Sequence, residues 1–272
     1  MSTFTLELTA RLESPLDASA IAADRLAKLD ARAIAGLEVW YQGNAAKLGD
    51  FFAASGAPGD RVVVRGDLAR AEGLGRGMAA GELVIEGNAG PETGARLAGG
   101  RVLVTGSAGP RAGQEMHGGL LEIRGDAGDG AGCASAGATK GMAGGEIIIR
   151  GRSGAETGAN LRRGLIVVAG EAGPRTGRAM IAGSVVVLGR TGQDAGLWSK
   201  RGSIVALGGI MPPVTYRAAC SFRPPHLRLT LTYLRTRHKL PVNDDQIHGL
   251  YRRLCGDLAD LGRGEILEWT AK

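Results

Sequence analysis

The sequence predicts an all-β fold, a right-handed single-stranded parallel β-helix of about nine rungs of roughly 19 residues each. Nine times the chain contains five residues with apolar side chains at the second and fourth places, followed by a closing glycine. The closing glycines, from Gly43 to Gly208, are spaced by 23, 21, 19, 19, 26, 19, 19 and 19 residues. A unit of this length buries its apolar face only by stacking on its neighbours, so the period indicates a solenoid. The 46 glycines accompany regular Val/Ile/Leu runs, which favours order over disorder.

Residues 1–35 are predicted to form an N-terminal strand and a capping helix. Phe4 to Leu8 alternate as a strand does. Ser14-Pro15-Leu16-Asp17 combines a capping serine, a proline and an acid, a pattern typical of a helix start. We expect this segment to plug the open first rung, since a solenoid needs capped ends.

Residues 36–208 are predicted to be the glycine-rich β-helix. Parallel, in-register stacking places the apolar second and fourth residues of each phrase in two inward columns, which begin at Val39 and Tyr41. The residue between them points outward and is mostly apolar as well. We call this series the outward stripe: Trp40, Val63, Val84, Leu103, Glu122, Ile148, Val167, Val186 and Val205.

An apolar stripe of this length is unusual on a solvent-exposed face. We therefore expect the C-terminal segment to cover its late rungs and another protein to cover its early rungs, with Trp40, Val63, Val84 and Leu103 as partner contacts. The alternative is that parallel strands simply favour β-branched residues on both faces.

Residues 209–272 are predicted to be a C-terminal extension that packs on the solenoid or on a partner. Leu227 to Tyr233 alternate as a strand, a helix is expected from Asn243 or Asp244 to Leu261, and Glu265 to Trp269 read as a last strand. No acidic residue lies between Asp194 and Asp244. Arg228, Arg235 and Arg237 are therefore candidates for contact with an acidic partner or an anionic carrier tail. Nucleic acid is disfavoured because aromatic platforms are missing there.

One rung carries an insertion of seven residues between Gly132 and Met142. Loops on a rigid scaffold are where function concentrates, so the 133–140 loop, with Cys133, Thr139 and Lys140, is a candidate for a specific contact. A neutral insertion is the alternative.

The sequence carries no catalytic constellation, and we expect no cofactor and no metal ion on this chain. The three cysteines form no Cys-x-x-Cys pair, and the four histidines fall in no metal-ligand spacing. The N-terminal residues do not resemble a secretion signal, and no apolar stretch approaches the length of a membrane span. We expect a cytoplasmic protein.

The rung phrases Gly-Asn-Ala-Gly, Gly-Asp-Ala-Gly and Gly-Gly-Glu-Ile-Ile-Ile-Arg-Gly, together with the stretch Lys140 to Gly145, resemble a β-helical family. That family is shared by the C subunit of formylmethanofuran dehydrogenase and the C-terminal domain of glutamate synthase. Pro15 to Ala18, the stretch from Leu37 to Asn44, and Lys47 to Phe52 resemble the C subunit in particular.

The resemblance implies a non-catalytic scaffold subunit of the formyltransferase/hydrolase complex, which transfers formyl from tetrahydromethanopterin to methylofuran and hydrolyses it to formate. The implied partners are an amidohydrolase-like A subunit, the B subunit and a formyltransferase D subunit, which would hold the metal ions and the methylofuran-type carrier. Two alternatives remain open at this point. The chain could be the C subunit of a tungsten or molybdenum formylmethanofuran dehydrogenase, or a glutamate-synthase-type β-helix domain.

Overall fold

A computed structural model describes residues 3–270 of the chain; residues 1–2 and 271–272, at the ends of the two predicted extensions, lie outside the described residues. Within residues 3–270 the strands form two sheets, one of thirteen strands and one of four. From one edge to the other, the large sheet contains β5 (Phe52–Gly56), β1 (Thr3–Leu8), β6 (Arg61–Arg65), β8 (Glu82–Glu86), β9 (Arg101–Val104), β10 (Leu120–Ile123), β11 (Glu146–Ile149), β12 (Leu165–Val168), β13 (Ser184–Val187), β14 (Ser203–Ala206), β17 (Gly264–Thr270), β16 (Leu250–Gly256) and β15 (Arg217–Phe222).

The small sheet and the helices lie towards the two ends of the chain. The small sheet contains β4 (Asn44–Lys47), β3 (Glu38–Tyr41), β2 (Leu16–Asp17) and β7 (Ala71–Glu72). The helices are α1 (Ala23–Leu26), α2 (Ala31–Ala35), α3 (Pro225–Arg237) and α4 (Asp244–His248), with a 3-10 turn at Leu48–Asp50.

The rungs stack as the repeat predicts. Strands β6 and β8 to β14 pair in parallel, each in register with the next, so that Val62 lies opposite Leu83 and Leu83 opposite Val102. The two inward columns are buried throughout these strands. A second wall forms where single bridges link corresponding corners of successive rungs, from Leu68 to Thr191. The β-helix solenoid predicted from the sequence is confirmed.

The first phrase of the repeat is not a rung, and here the prediction is wrong. Glu38–Tyr41 forms an antiparallel hairpin with Asn44–Lys47 in the small sheet. The turn between them is Gln42-Gly43, with φ angles of 52° and 77°. Two positive φ angles are typical of the tight turn that joins hairpin strands, so a local turn outcompetes stacking on the next rung.

Strand β1 takes the place that the sequence analysis gave to this first phrase. It pairs in parallel with β6, with Phe4 opposite Val62 and Leu6 opposite Val64. The inward columns therefore begin at Phe4 and Leu6, both buried, and not at Val39 and Tyr41. On its other side β1 pairs with β5 in the antiparallel sense, which places β5 at the edge of the large sheet.

The predicted helix start at Ser14 is wrong, because Leu16–Asp17 is a short strand between β3 and β7. The helical turns come later. Asp30, and not Ser14, acts as a helix cap, since its carboxylate accepts a 2.7 Å hydrogen bond from the backbone N–H of Ala33. Ile21 and Leu26 are fully buried in the core of the first rungs.

The C-terminal extension differs from its prediction in two elements. The segment predicted as a strand from Leu227 is the helix α3, whose buried residues Leu227, Leu231 and Leu234 lie on one face. The predicted long helix begins as expected, with the Asn243 side chain accepting a 2.8 Å hydrogen bond from the N–H of Gln246. It ends at His248, because the backbone of Gly249 is extended, and strand β16 follows.

The predicted last strand is confirmed as β17, and its position closes the solenoid. It pairs in parallel with β14, with Ile204 opposite Ile266 and Val205 opposite Leu267. The inward column thus continues by one more residue beyond the last glycine-closed rung. Strands β16 and β15 extend the sheet further in the antiparallel sense.

Candidate interaction surfaces

The late half of the outward stripe is covered by the C-terminal extension, as predicted. Ile148, Val167, Val186 and Val205 are buried in one apolar cluster with residues of α3, α4 and β16. Across the interface lie Leu227, Leu231, Leu234, Leu240, Val242, Ile247 and Tyr251. Burial of an aliphatic side chain is worth about 1.5–3 kcal/mol, so this contact fastens the extension to the rungs.

In the early half of the outward stripe, the apolar side chains are largely buried within the chain itself. Val63, Val84 and Leu103 form a small cluster of their own, with exposed fractions of only 5%, 5% and 8%. Rows of charged side chains flank them on the same face of the sheet. The ion pairs in these rows are Arg61–Glu82 at 3.4 Å, Arg101–Glu82 at 3.1 Å and Arg65–Glu86 at 2.7 Å.

The charged rows therefore shield the three apolar side chains with the stems of long side chains. Any partner at this face meets a ladder of arginine and glutamate heads above an apolar floor. A contact through Val63, Val84 and Leu103 stays a prediction. Trp40 does not belong to this face, since it lies on the hairpin of the small sheet, where it is 52% exposed.

Glu122 marks the boundary between the two halves of the outward stripe. Its buried carboxylate lies 2.8 Å from the Arg101 guanidinium and 2.8 Å from that of Arg150. Arg150 also donates a 2.9 Å hydrogen bond to the carbonyl oxygen of His238, just beyond α3. Burial alone would raise the pKa of Glu122, but hydrogen bonds from the two arginines outweigh it and hold the pKa below its usual range.

A second polar contact holds the same end of α3 on the sheet. The Tyr233 hydroxyl donates to the Glu146 carboxylate at 2.8 Å, and a ring nitrogen of His238 lies 3.0 Å from that carboxylate. Burial, together with the adjacent Glu146 carboxylate, raises the pKa of the Tyr233 hydroxyl. Glu146 in β11 and Arg150 directly after β11 thus both contact the C-terminal part of α3 and its cap, so they fix how far along the sheet the extension lies.

The insertion loop is tied back to the previous rung. The backbone N–H of Ser135 donates a 3.1 Å hydrogen bond to Glu115, and the Ser135 hydroxyl donates a second, very short one. The Ser135 hydroxyl is the main cause that lowers the pKa of Glu115. Cys133 is buried, which raises the pKa of its thiol, and its contact with a partner stays a prediction. Lys140 is exposed, and its contact with a partner stays a prediction.

The three arginines singled out on the C-terminal segment lie on α3, where Arg228 and Arg237 are exposed and Arg235 is half-buried. Arg235 is engaged within the chain, since its guanidinium lies 2.7 Å from the Asp244 carboxylate. This pair joins α3 to α4 and holds the pKa of Asp244 below its ordinary value. Arg228 and Arg237 lie on the exposed side of α3, and their predicted role at a partner surface is untested.

Neither a metal centre nor a membrane span is found in the part of the chain that the structure describes. Among residues 3–270, no group of three or more His, Cys, Asp or Glu side chains is placed to hold a metal ion. No helix in that range is long and apolar enough to cross a bilayer.

A set of exposed apolar side chains that was not predicted from the sequence lies at the far end of the solenoid, near β14. Trp198 is the largest of them. Earlier rungs place Arg96, Glu115, Asn160 and Ala179 at this corner, which has a positive φ angle in each of them. A tryptophan in a column of polar and small residues was the available signal.

Similar proteins are found among those of known function. No protein-family model matches the sequence. The chain is similar to the C subunit of tungsten-containing formylmethanofuran dehydrogenase 2 from Methanothermobacter marburgensis, with 33% identity over 100 residues, which cover 35% of this chain and 37% of the relative. The corresponding protein of Methanothermobacter wolfeii is 34% identical over 100 residues. The chain thus spans little more than a third of the length of these curated relatives.

Similarity to a solved structure extends over nearly the whole chain. That structure is the crystal structure of the formyltransferase/hydrolase complex from Methylorubrum extorquens in complex with methylofuran. One of its chains matches with a TM-score of 0.92 and 33% identity, covering 98% of this chain and 100% of that chain.

Proposed function

This chain belongs to the C-subunit family of formylmethanofuran dehydrogenases and of the formyltransferase/hydrolase complex, and from that membership we propose that it is a non-catalytic structural subunit of a formyltransferase/hydrolase complex. In the proposed assembly, other subunits transfer formyl from tetrahydromethanopterin to methylofuran and hydrolyse the formyl carrier to formate. The observation that carries the proposal is the end-to-end structural match to a chain of such a complex.

The interior of the solenoid supports a structural role. Inward positions of the rungs are filled by two apolar columns, which occupy the space that a substrate would need. At the corners, charged side chains of successive rungs pair with one another. Examples are Arg111–Glu92 at 3.0 Å, Arg175–Glu156 at 2.9 Å and Arg96–Glu115 at 3.0 Å. Side chains paired in this way stabilise stacking and are not free for acid–base chemistry.

The second candidate is the C subunit of a tungsten or molybdenum formylmethanofuran dehydrogenase. The relatives from Methanothermobacter favour it, but over 100 residues only. We prefer the first function because the match to the formyltransferase/hydrolase complex covers both chains almost completely.

Reconstitution tests the proposal. The chain is co-expressed with the amidohydrolase-like, the B and the formyltransferase subunits of the complex, and the product is analysed by native mass spectrometry. We expect a stable complex with formyl transfer and hydrolysis activity, an inactive isolated chain, and loss of the assembly when this chain is omitted.

Two outcomes would contradict the proposal. One is hydrolysis of the formyl carrier by the isolated chain. The other is full assembly and activity of the remaining subunits without it. Co-purification of a tungsten or molybdenum pterin subunit, with oxidation of the formyl carrier by an electron acceptor, would favour the dehydrogenase instead.

A further inference from the structure

Exposed apolar side chains concentrate at the far end of the solenoid. In the described residues nine large apolar side chains are exposed, and five of them belong to this end. We call them the distal patch: Trp198, Met211, Val214, Leu258 and Leu261, with exposed fractions of 48%, 51%, 87%, 55% and 54%. Scattered single apolar residues are normal on a surface, but a group of this kind marks an interaction site.

Hydrogen bonds show that the three segments of the patch adjoin one another. The N–H of Leu258 donates to the carbonyl oxygen of Thr215 at 3.2 Å, which joins the 257–262 turn to the segment that carries Val214. The N–H of Trp198 donates to the Asp257 carboxylate at 2.9 Å. The N–H of Ala195 donates to the carbonyl oxygen of Met211 at 3.1 Å.

Asp257 is the anchor that holds the patch in place. In earlier rungs the corner N–H at this position donates to a carbonyl oxygen of the following rung, as in the pair Ala179 and Leu197 at 2.7 Å. Trp198 stands at the last such corner and has no following rung. The fully buried Asp257 carboxylate accepts its N–H instead, and it also accepts from the N–H of Ala259 at 2.9 Å.

The backbone at Trp198 carries a conformational cost. Its φ angle is 57°, a left-handed conformation that costs an L-residue about 1–2 kcal/mol. A bulky residue in this conformation is uncommon. The Arg178 guanidinium lies 5.2 Å from the centre of the Trp198 ring, so a cation packs against the indole while about half of the residue stays exposed. An exposed tryptophan held this way is a pre-ordered anchor of the kind that dominates protein interfaces.

The surroundings of the distal patch are basic. Exposed Lys200 and Arg201 follow Trp198 in the chain, and exposed Arg263 follows the 257–262 turn. Arg217 lies beside Val214 and donates a 2.6 Å hydrogen bond to its carbonyl oxygen. Asp257 is buried, and two acids are exposed nearby, Asp260 in the 257–262 turn and Asp194 next to Ala195, so the four basic residues exceed the exposed acids by two. A second copy of this chain would bring two such basic rims together, so self-association through the patch is disfavoured.

We propose that the distal patch binds another subunit of the complex, through a partner surface that presents apolar side chains flanked by aspartate or glutamate. Trp198, Leu258 and Leu261 form the apolar centre of the contact, and Lys200, Arg201 and Arg263 form its charged rim. This inference rests on the proposed function and adds the surface and the chemistry of the partner.

The first test uses the wild-type chain. Hydrogen–deuterium exchange is compared between the isolated chain and the complex reconstituted with the amidohydrolase-like, B and formyltransferase subunits. We expect segments 196–201, 211–217 and 257–263 to become protected in the complex. Unchanged exchange in all three segments would overturn the proposal, and so would protection that already occurs in a dimer of the isolated chain.

The second test uses the double variant Leu258→Asp/Leu261→Asp, with Leu229→Asp on α3 as the matched control, since Leu229 is 74% exposed away from the patch. We expect the double variant to bind one of the partner subunits about tenfold more weakly or worse, as loss of an interface hot spot does, while the control binds as the wild type does. Lys200→Glu/Arg263→Glu, which leaves the apolar residues intact, should also weaken binding, by a factor that grows as ionic strength falls.

The outcomes separate this inference from the proposed function. If the wild-type chain assembles and the Leu258→Asp/Leu261→Asp variant assembles equally well, the distal patch is refuted and the structural role stands. If the wild-type chain binds none of these subunits, both are refuted. Circular dichroism of each isolated variant shows whether it is folded. If the Leu258→Asp/Leu261→Asp variant is misfolded, binding by the Lys200→Glu/Arg263→Glu variant decides whether the distal patch contacts a partner.

Discussion

Glu122 is the charged member of an otherwise apolar stripe, and exchanging it tests how the two halves of the outer face are joined. Its carboxylate accepts hydrogen bonds from Arg101 and Arg150 and is buried beneath them. Glu122→Gln keeps the shape but replaces one acceptor oxygen by an NH₂ group that faces guanidinium donors. Glu122→Val instead gives this rung an aliphatic residue, as the two adjacent rungs have with Leu103 and Ile148.

The structure sets the size of the two effects. A hydrogen bond to a charged group is worth about 1.5–3 kcal/mol. Glutamine loses one of the two, so we expect Glu122→Gln to lower the free energy of unfolding by about 2 kcal/mol. Valine removes the buried charge altogether. Arg101 keeps Glu82, and Arg150 keeps the carbonyl oxygen of His238.

Removing one partner of a buried ion pair is costly when the other charge stays buried and unpaired. Arg101 and Arg150 keep their other partners and their side chains are 42% and 32% exposed, so we expect Glu122→Val to change the free energy of unfolding by less than about 1 kcal/mol. We therefore expect the more conservative variant, Glu122→Gln, to be less stable than Glu122→Val. Urea unfolding at pH 7, followed by circular dichroism, measures both variants against the wild type. Our reasoning is wrong if Glu122→Val is the less stable of the two, or if Glu122→Gln unfolds at the wild-type urea concentration.

Three further predictions concern single positions. A Cβ atom at Gly118 would lie 2.3 Å from a carbonyl oxygen of the preceding rung, whereas one at Gly137, with a φ angle of 79°, would meet nothing within 4 Å. We expect Gly137→Ala to cost about 1–2 kcal/mol from its backbone conformation alone and Gly118→Ala to cost clearly more in the same urea assay, so equal losses would contradict the close approach. Leu231→Ala should lower the free energy of unfolding by about 2–5 kcal/mol because Leu231 is fully buried between α3 and the rungs. Leu229→Ala, at an exposed position of the same helix, should be nearly neutral. A neutral Leu231→Ala would mean that α3 does not pack on the rungs. Burial alone would raise the pKa of Asp257, but the nearby Thr215 hydroxyl and the backbone N–H groups of Ala259 and Trp198 lower it below the ordinary value of 3.8. The stability that the Asp257 carboxylate contributes is therefore complete above pH 3.8 and is lost as the pH falls through the lower pKa of the folded state. Asp257→Asn should be less stable than the wild type at pH 7, and the two should become equally stable in acid. A stability difference that does not depend on pH would contradict this assignment.

The rungs could be predicted because two independent features of the repeat define each of them. The closing glycine fixes where each strand ends, and the alternation ahead of it fixes which side chains point inward. The first phrase has both features and still forms a hairpin, because the positive φ angles of Gln42 and Gly43 turn the chain back to pair with Asn44–Lys47. A periodic pattern indicates which residues are to be buried, and it does not indicate which strand will bury them.

The extension was harder to predict because its pattern fits two structures. Leu227 and Leu231 are four residues apart, a spacing that places them on one face of a strand and also on one face of a helix. Leu229 distinguishes a strand from a helix. In a strand it would lie on the same face as Leu227 and Leu231, but on α3 it is exposed. Packing against the outward stripe decides in favour of the helix, and such tertiary contacts lie outside the local sequence.

The candidate surfaces divide in the same way. We could predict that the C-terminal extension covers the late rungs, because the apolar residues that point outward there need burial. Helix α3 buries them. The arginine and glutamate rows over Val63 and Val84 were visible in the sequence, but their reach across the apolar side chains depends on the register of the rungs. The role of Asp257 could not be predicted, since it depends on a turn that meets the last corner of the solenoid from 59 residues further along the chain.

The position of β17 has a consequence for synthesis. Strand β14 is complete at Ala206, but its outer partner begins at Gly264, so 57 residues lie between them. At about 5–20 residues per second, a ribosome needs roughly 3–11 s to make that stretch. During this time the nascent solenoid has an open edge at β14 and an uncovered Val205. An open sheet edge and an uncovered apolar side chain both favour aggregation, so the nascent chain is most exposed to that risk until β17 has emerged and closed the edge.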